Sequence, residues 1–353
     1  MTGPLKRALV PAEDDGKRLD AALAALLPGM GLRGRRRLCQ NGLALVDGRP
    51  APPAHKVRAG QEMTLAGTPD APPSWEEQEG TQGGDTAFVI RKTDNMAFLH
   101  KPAGMHAAAL KGSPGSSLEG LLPLLLPGCS AARLLNRLDA PTSGIVAAAL
   151  DEAGAALYRS AQDSCRTEKR YLALLEGTLE RPASVRGRIL QDGRKRVRVL
   201  CGEDPDPARH TLIFPLAVLG RGGAALFFPR EGKEMAVPAT LAGCIIYKGA
   251  RHQIRAHAAS LGFPLLGDAR HGSSLHPACE SGTEGERFFL HHARLSLPGT
   301  EVTDLPGWLG RLYEAGIVTE GEVLRWLDQP SGSAARVGGG DLQSARPLRG
   351  PAS

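Results

Sequence analysis

Residues 136–150 read NRLDAPTSGIVAAAL. Pro141, Thr142, Ser143 and Gly144 have the chemistry of a tight turn, and the apolar run from Ile145 to Leu150 reads as a buried strand. One carboxylate, Asp139, therefore stands at the mouth of an interior strand with Arg137 two positions before it. Taken alone, Asp139 has an ordinary explanation: it accepts backbone N–H groups in an Asx turn.

Moving outward from this stretch, the same texture continues on both sides. From Ala87 onward the apolar segments are short and turn-separated: AFVI, MAFLH, GIVAAAL, YLALLEG, RILQDGRKRVRVL, LIFPLAVL, ALFF and CIIYKG. Helical patterns are fewer, chiefly SSLEGLLPLLL, DEAGAALYRSAQ and RHQIRAHAASLG. That order fits an α+β fold with a mixed, mainly antiparallel sheet flanked by helices better than it fits alternating βαβ units.

The region before residue 67 is different. RLDAALAALL places Leu19, Leu23, Leu26 and Leu27 on one helical face, and GLRGRRRLCQNG reads as a second short helix carrying Arg33, Arg35, Arg36 and Arg37. The strand-like LALV then meets the turn Asp47-Gly48, and VRAGQEMTL supplies a further turn and an edge strand. We expect a small α/β domain over residues 1–66, a linker rich in Pro, Gly, Glu and Gln over 67–86, and a larger α+β domain over 87–300. A helical extension follows over 301–328, and a tail over 329–353 has too little apolar content to fold.

Among the 353 residues, 42% are apolar and 23% charged, an ordinary balance for a globular protein, and no apolar run reaches the ~18 residues of a membrane span. The amino terminus lacks a signal-peptide pattern, so we expect a soluble cytoplasmic protein with no membrane partner. The six cysteines form no CxxC pair and read as reduced thiols. The histidines match no metal-binding pattern, so no metal is expected. Forty-three Lys and Arg against 37 Asp and Glu give a net charge of +6, a mild polyanion signal. The cations cluster: Arg33 to Arg37 is one group, and RGRILQDGRKRVRV, a hairpin turning at Asp192-Gly193, brings Arg194, Lys195 and Arg196 with Arg186, Arg188 and Arg198. Such a run is often only a solvated face, and its other reading is a track for phosphates.

Three more segments join the opening one: FLHKPAGMHA over 98–107, EKRYLALLEG over 168–177, and KGARHQIRAHAASLGFPLLGD over 248–268. In this order they resemble the signatures of the RluA-type pseudouridine synthase family, namely K-P-x-G, RLD-x-x-T-S-G, K-x-Y-x-A-x-x-x-G, H-Q-I-R-x-H and G-x-P-x-x-G-D. The resemblance covers roughly residues 87–298. The leading segment also looks like the S-four-like RNA-binding module carried by many members.

The resemblance implies a reaction: the glycosidic bond of a uridine within RNA is broken, the uracil turns, and it rejoins the ribose through a ring carbon without a cofactor. Asp139 matches the family's catalytic aspartate, as nucleophile toward the anomeric carbon or as base toward the neighbouring ribose position; the residues leave both open. A glycosidase that hands its sugar to water generally employs two carboxylates, and none accompanies Asp139 in sequence. Arg255 matches the arginine that pairs with that aspartate, and Tyr171 matches the active-site tyrosine that stacks on uracil. Lys101, His252 and Gln253 lie in the motifs and are expected at the RNA, while the motif's other reading of His252 is a ring that anchors a turn through its nitrogens. Arg137 has two readings, filling the gap left by an extruded base or forming a surface ion pair with Asp139.

Departures from the pattern fall at Asn136, where His is common, at Ala250 before Arg251, and at His271, near a usual Tyr; they bear on substrate choice. The expected function is conversion of specific uridines in structured RNA, ribosomal RNA ahead of transfer RNA, by a monomer. The rival readings are an RNA-binding or ribosome-assembly protein of the same fold that has lost turnover, and a glycosylase with a second carboxylate elsewhere.

Overall fold

The computed structural model describes residues 6–27, 35, 36, 38, 39, 44–65, 86–108, 117–192, 196–228, 237–275, 287–330, 343 and 344. In the amino-terminal module, strands Lys6–Leu9 (β1), Ala44–Val46 (β2), Arg49–Pro50 (β3) and Glu62–Leu65 (β4) form a sheet in the order β1-β4-β2-β3. Its pairs are all antiparallel. Asp47 and Gly48 have φ of 49° and 76°, the left-handed pair that closes a two-residue hairpin with the right twist. The strand expected at the edge, β4, is interior, because β1 pairs with its free side from the first described residues.

The regular helix in this module covers only Leu19–Ala22, after which Ala24 and Ala25 donate to carbonyls three residues back and the coil tightens. Even so, Leu19 and Leu23 are fully buried, and with Leu38, Val57, Met63 and Leu65 they form a separate core. The expected linker at 67–86 lies outside the described residues apart from its last position.

The rest of the chain divides between two compact units. One takes in the module, the described residues up to Ala140, and Val146–Ala156; the other takes Pro141–Ile145 and the described residues from Leu157 on. In the first, Phe88–Lys92 (β5) and Met96–Lys101 (β6) make a hairpin, and all six residues of β6 are buried. Helix Leu118–Leu125 starts where the Ser117 hydroxyl accepts from the Gly120 N–H, satisfying one of the amide groups orphaned at a helix start. Strand Arg133–Leu134 (β7) runs antiparallel to the end of Ser143–Ala149 (β8).

The second unit contains Glu168–Glu176 (β9), Ala183–Val185 (β10), Gly187–Asp192 (β11), Arg196–Glu203 (β12), Thr211–Val218 (β13), Ala239–Ile246 (β14), Leu290–Leu297 (β15) and Thr300–Thr303 (β16). Strands β10-β13-β14-β9-β15 follow one another antiparallel, and the first residues of β8 then lie parallel to β15, with Ser143 opposite His291 and Gly144 opposite His292. This is the mixed, mainly antiparallel sheet that the turn-separated strands predict. β11 and β12 form the expected basic ribbon, and ALFF, which reads as a strand, starts inside the 3-10 turn Gly223–Leu226 and forms no strand.

The two-residue period of β9 sorts its side chains. Leu172 and Leu174 join a large core, while Lys169 and Tyr171 take the opposite face. Helices Gly310–Glu314 and Glu320–Asp328 cover that core with Leu312, Val323, Trp326 and Leu327. The Trp326 indole lies over Gly243, where a Cβ would sit 2.2 Å from a ring carbon. Arg170, on the same face, is 2% exposed and donates to Glu168 and to the carbonyls of Trp326 and Gln329, so it caps the end of the last helix. The extension is therefore packed into the second unit's core, and the boundary expected at 300 falls inside β16. Within the tail expected to be unfolded, Gln343–Ser344 (β17) runs parallel to β10. Among the described residues no helix is long and apolar enough to cross a membrane.

Candidate active site

The Asp139 loop is pinned at several points. Asn136 accepts the Ala147 N–H through Oδ1 at 2.8 Å, which ties the start of the loop to β8. The Ala140 carbonyl receives the Gly104 N–H at 2.7 Å and the Lys101 ammonium at 3.1 Å. Lys101 also donates to the carbonyls of Pro102 and Met105, at 2.9 and 2.7 Å. Its side chain has no exposed surface, and burial pushes its pKa down to about 7, with the Asp139 charge opposing. Asp139 itself is partly exposed, Leu138 beside it is buried, and Arg137 is exposed with no hydrogen bond or ion pair among the described residues.

The second unit holds the other end of the same loop. Gly144 has φ of +109°, and a Cβ there would fall 2.4 Å from the His292 carbonyl oxygen. Only glycine allows β8 to start this close to β15. The Ser143 hydroxyl meets His291 Nδ1 at 2.8 Å while His291 Nε2 meets the Asp304 carbonyl at 2.9 Å. His291 thus donates through Nε2 and accepts from Ser143. Tyr171, 6% exposed, stacks on His292 with ring centroids 4.5 Å apart and planes 14° from parallel.

Arg255 lies on helix Gln253–Ser260 and is 1% exposed. Its guanidinium grips Asp268 in a two-pronged pair, Nε to Oδ2 at 2.7 Å and Nη2 to Oδ1 at 2.8 Å, and its carbon sits 4.3 Å from the Phe288 ring centroid. The carboxylate described on Arg255 is Asp268, the last residue of the G-x-P-x-x-G-D segment. The spacing of Gly267 and Asp268 in that segment was the available signal.

Three residues expected at the RNA are interior instead. Lys101 has each donor on a backbone carbonyl and offers nothing to a phosphate. Gln253, 3% exposed, donates to the Arg209 carbonyl and the Thr211 hydroxyl and accepts the Ala250 N–H, so it knits loops together. His252, 7% exposed with φ of 55°, places Nδ1 3.1 Å from His271 Nε2. For Lys101 and Gln253 the reason is shared: turns leave carbonyls and amides facing inward, and polar side chains satisfy them.

The basic clusters are partly described. Arg36 and Arg18 both grip Asp20, which is 1% exposed, and Arg35 donates to the Asp20 carbonyl; this network ties down the module's first helix. Arg33, Arg37, Arg194 and Lys195 lie outside the described residues, as does the Arg196 side chain. On the β11–β12 ribbon, Arg188 and Arg198 are exposed, while Gly187 at its base is bound through its carbonyl to His257 Nε2 at 2.9 Å. Burial holds His257 down to about pH 4, so the neutral ring both donates to that carbonyl and accepts from Thr211.

Comparison with known proteins agrees with this architecture. The family described as RNA pseudouridylate synthase matches residues 95–260. Ribosomal large subunit pseudouridine synthase C of Escherichia coli (strain K12) is 28% identical over 85% of this chain and 91% of its own length. Ribosomal large subunit pseudouridine synthase D of Neisseria meningitidis serogroup B is also 28% identical, over 83% of this chain and 75% of its own. The solved structure of human RNA Pseudouridylate Synthase Domain Containing 1 superposes with a TM-score of 0.51 at 20% identity, covering 74% of this chain and 98% of that one, and shares the fold. In its sheet, its ordered motifs and these relatives, the chain is similar to the RNA pseudouridine synthases.

Proposed function

We propose that the substrate is ribosomal RNA and that Asp139 is the catalytic carboxylate, with Tyr171 and Arg255 as the remaining members of the centre. The observation that carries this reading is the Asp139 loop: an accessible acid on a short turn, held from beneath by the buried Lys101 cation and the Gly104 amide. Such a loop holds the carboxylate in one place with little reorganisation when a flipped nucleoside arrives, which is the condition for positioning catalysis. The large-subunit assignment rests on the names of the relatives matched over most of their length.

Arg137, exposed and without an ion-pair partner among the described residues, is the side chain we assign to the space vacated by the extruded base. Arg188 and Arg198 on the ribbon are the described cations we assign to phosphates, with affinity that falls as salt rises. The test compares pseudouridine maps of total RNA from cells with the gene, without it, and complemented by Asp139→Ala. One or a few large-subunit sites should vanish with the gene and fail to return with the alanine protein. Sites that return would remove Asp139 from the mechanism; sites lost only from transfer RNA would overturn the substrate.

A further inference from the structure

His292 is a second histidine beside His291 on β15, and no motif accounts for it. It is fully buried. Its Nδ1 lies 2.6 Å from the Ile145 carbonyl, so Nδ1 carries the proton and donates, leaving Nε2 as an unprotonated acceptor with no partner among the described residues. Burial, with Lys169 and His291 adding to it, holds the ring neutral down to about pH 3. A neutral ring in a fixed tautomer, lying nearly flat on Tyr171 across the β9–β15 pair, is a platform of constant charge and orientation.

We propose that His292 is a positioning residue that sets the plane of the Tyr171 ring relative to β8, the strand that begins at the end of the Asp139 loop. Three observations converge on it. The imidazole is aimed by Ile145, six positions after Asp139 in the chain. The His292 backbone is held against Gly144 by a contact that no side chain at that position permits. The ring then meets Tyr171 face to face at 4.5 Å, an arrangement that resists rotation of the phenol out of its plane. One rigid register thus leads from the TSG turn through His292 to the tyrosine. This inference rests on the assignment of Tyr171 to the centre, and its test separates the two.

The matched variants are His292→Phe and His292→Leu. Both lose the bond to the Ile145 carbonyl, so they differ chiefly in whether a flat ring remains. On RNA, His292→Leu should lower kcat roughly 10- to 100-fold with KM within about twofold, the scale of a small misplacement in a positioned site. His292→Phe, with a similar loss of thermal stability, should stay within about threefold of the parent. Equal kcat for the two would overturn the proposal. If loss of the carbonyl bond unfolds both, His292→Asn, which keeps a donor for Ile145 and lacks the ring, is compared with the parent, and an undiminished kcat overturns the proposal.

A readout independent of turnover is fluorine NMR of the full chain labelled with fluorotyrosine, which carries four tyrosines. The Tyr171 resonance, assigned through Tyr171→Phe, should move and broaden in the leucine or asparagine protein and hold its width in the phenylalanine protein. An unchanged resonance in all variants refutes the platform. A resonance that responds as described in a protein inactive on every RNA would leave the platform standing and remove the proposed reaction.

Discussion

Replacing Lys101 by Met tests the clamp beneath the Asp139 loop through an unusual pH signature. Lys101 is fully buried and its pKa falls from 10.5 to about 7. Holding a partly charged ammonium in the folded chain then costs about 4 kcal/mol at pH 7, relative to an unfolded lysine at its ordinary value. That cost is net of the three carbonyl bonds; Met takes a donor from the Pro102, Met105 and Ala140 carbonyls, at roughly 1–3 kcal/mol each, which exceeds it by a few kcal/mol. Lys101→Met should therefore destabilise the protein, and by more as the pH rises. The sign follows from proton counting: between the folded and unfolded pKa values the unfolded chain binds the extra proton, so stability of the parent climbs with pH. The remaining penalty is about 2 kcal/mol at pH 9, so the gap between parent and variant should widen by about 2 kcal/mol from pH 7 to pH 9. Urea unfolding of both proteins across that range measures it. A gap that stays flat would show that Lys101 is not buried as a titrating cation, and a gap that narrows would reverse the reasoning outright.

The other expectations concern packing around the site. Gly144→Ala forces a Cβ to 2.4 Å from the His292 oxygen at a φ of +109°, so it should cost several kcal/mol in urea unfolding, beyond the ~1–3 kcal/mol of backbone strain alone; a near-neutral result would mean the β8–β15 approach is looser than described. Asp268→Asn strands a buried guanidinium and should cost roughly 3–5 kcal/mol, whereas Arg255→Met combined with Asp268→Leu should recover most of the stability but none of the pseudouridine formation. If the double variant is active, Arg255 is only structural. Trp326→Ala opens the core above Gly243 and should cost about 3–5 kcal/mol. Truncation after Gln329 keeps both carbonyls that Arg170 binds and should leave turnover intact in a single-turnover assay.

What was legible in the sequence follows from how local each feature is. The hairpin at Asp47-Gly48, the helices at Leu118–Leu125 and Gln253–Ser260, and the capped helix after Thr319 each carry their cause within a few residues, and each stands where the pattern puts it. Strand neighbours are different. β4 reads as an edge because its own residues alternate, but its position depends on β1, more than fifty residues earlier in the chain. The run ALFF has strand-forming residues, yet Gly222 in the left-handed region at φ of 85° starts a turn before it.

The same distinction separates the site residues. Asp139, Tyr171 and Arg255 were nameable because ordered motifs carry them. What Tyr171, Arg255 and Lys101 touch was not, since contact partners come from other segments of the chain: His292 on Tyr171, Asp268 on Arg255, and the Ala140 carbonyl on Lys101. Cationic residues in a motif near RNA invite a reading as phosphate contacts, and composition alone supports it. Burial decides otherwise for Lys101, because an ammonium whose donors all meet carbonyls contributes by fixing the loop that it underlies. The exposed Arg137, two residues from Asp139, is the cation left facing outward in that loop. The charges around this turn are thus divided by depth, with Lys101 of β6 holding the Ala140 carbonyl from beneath and Arg137 left exposed.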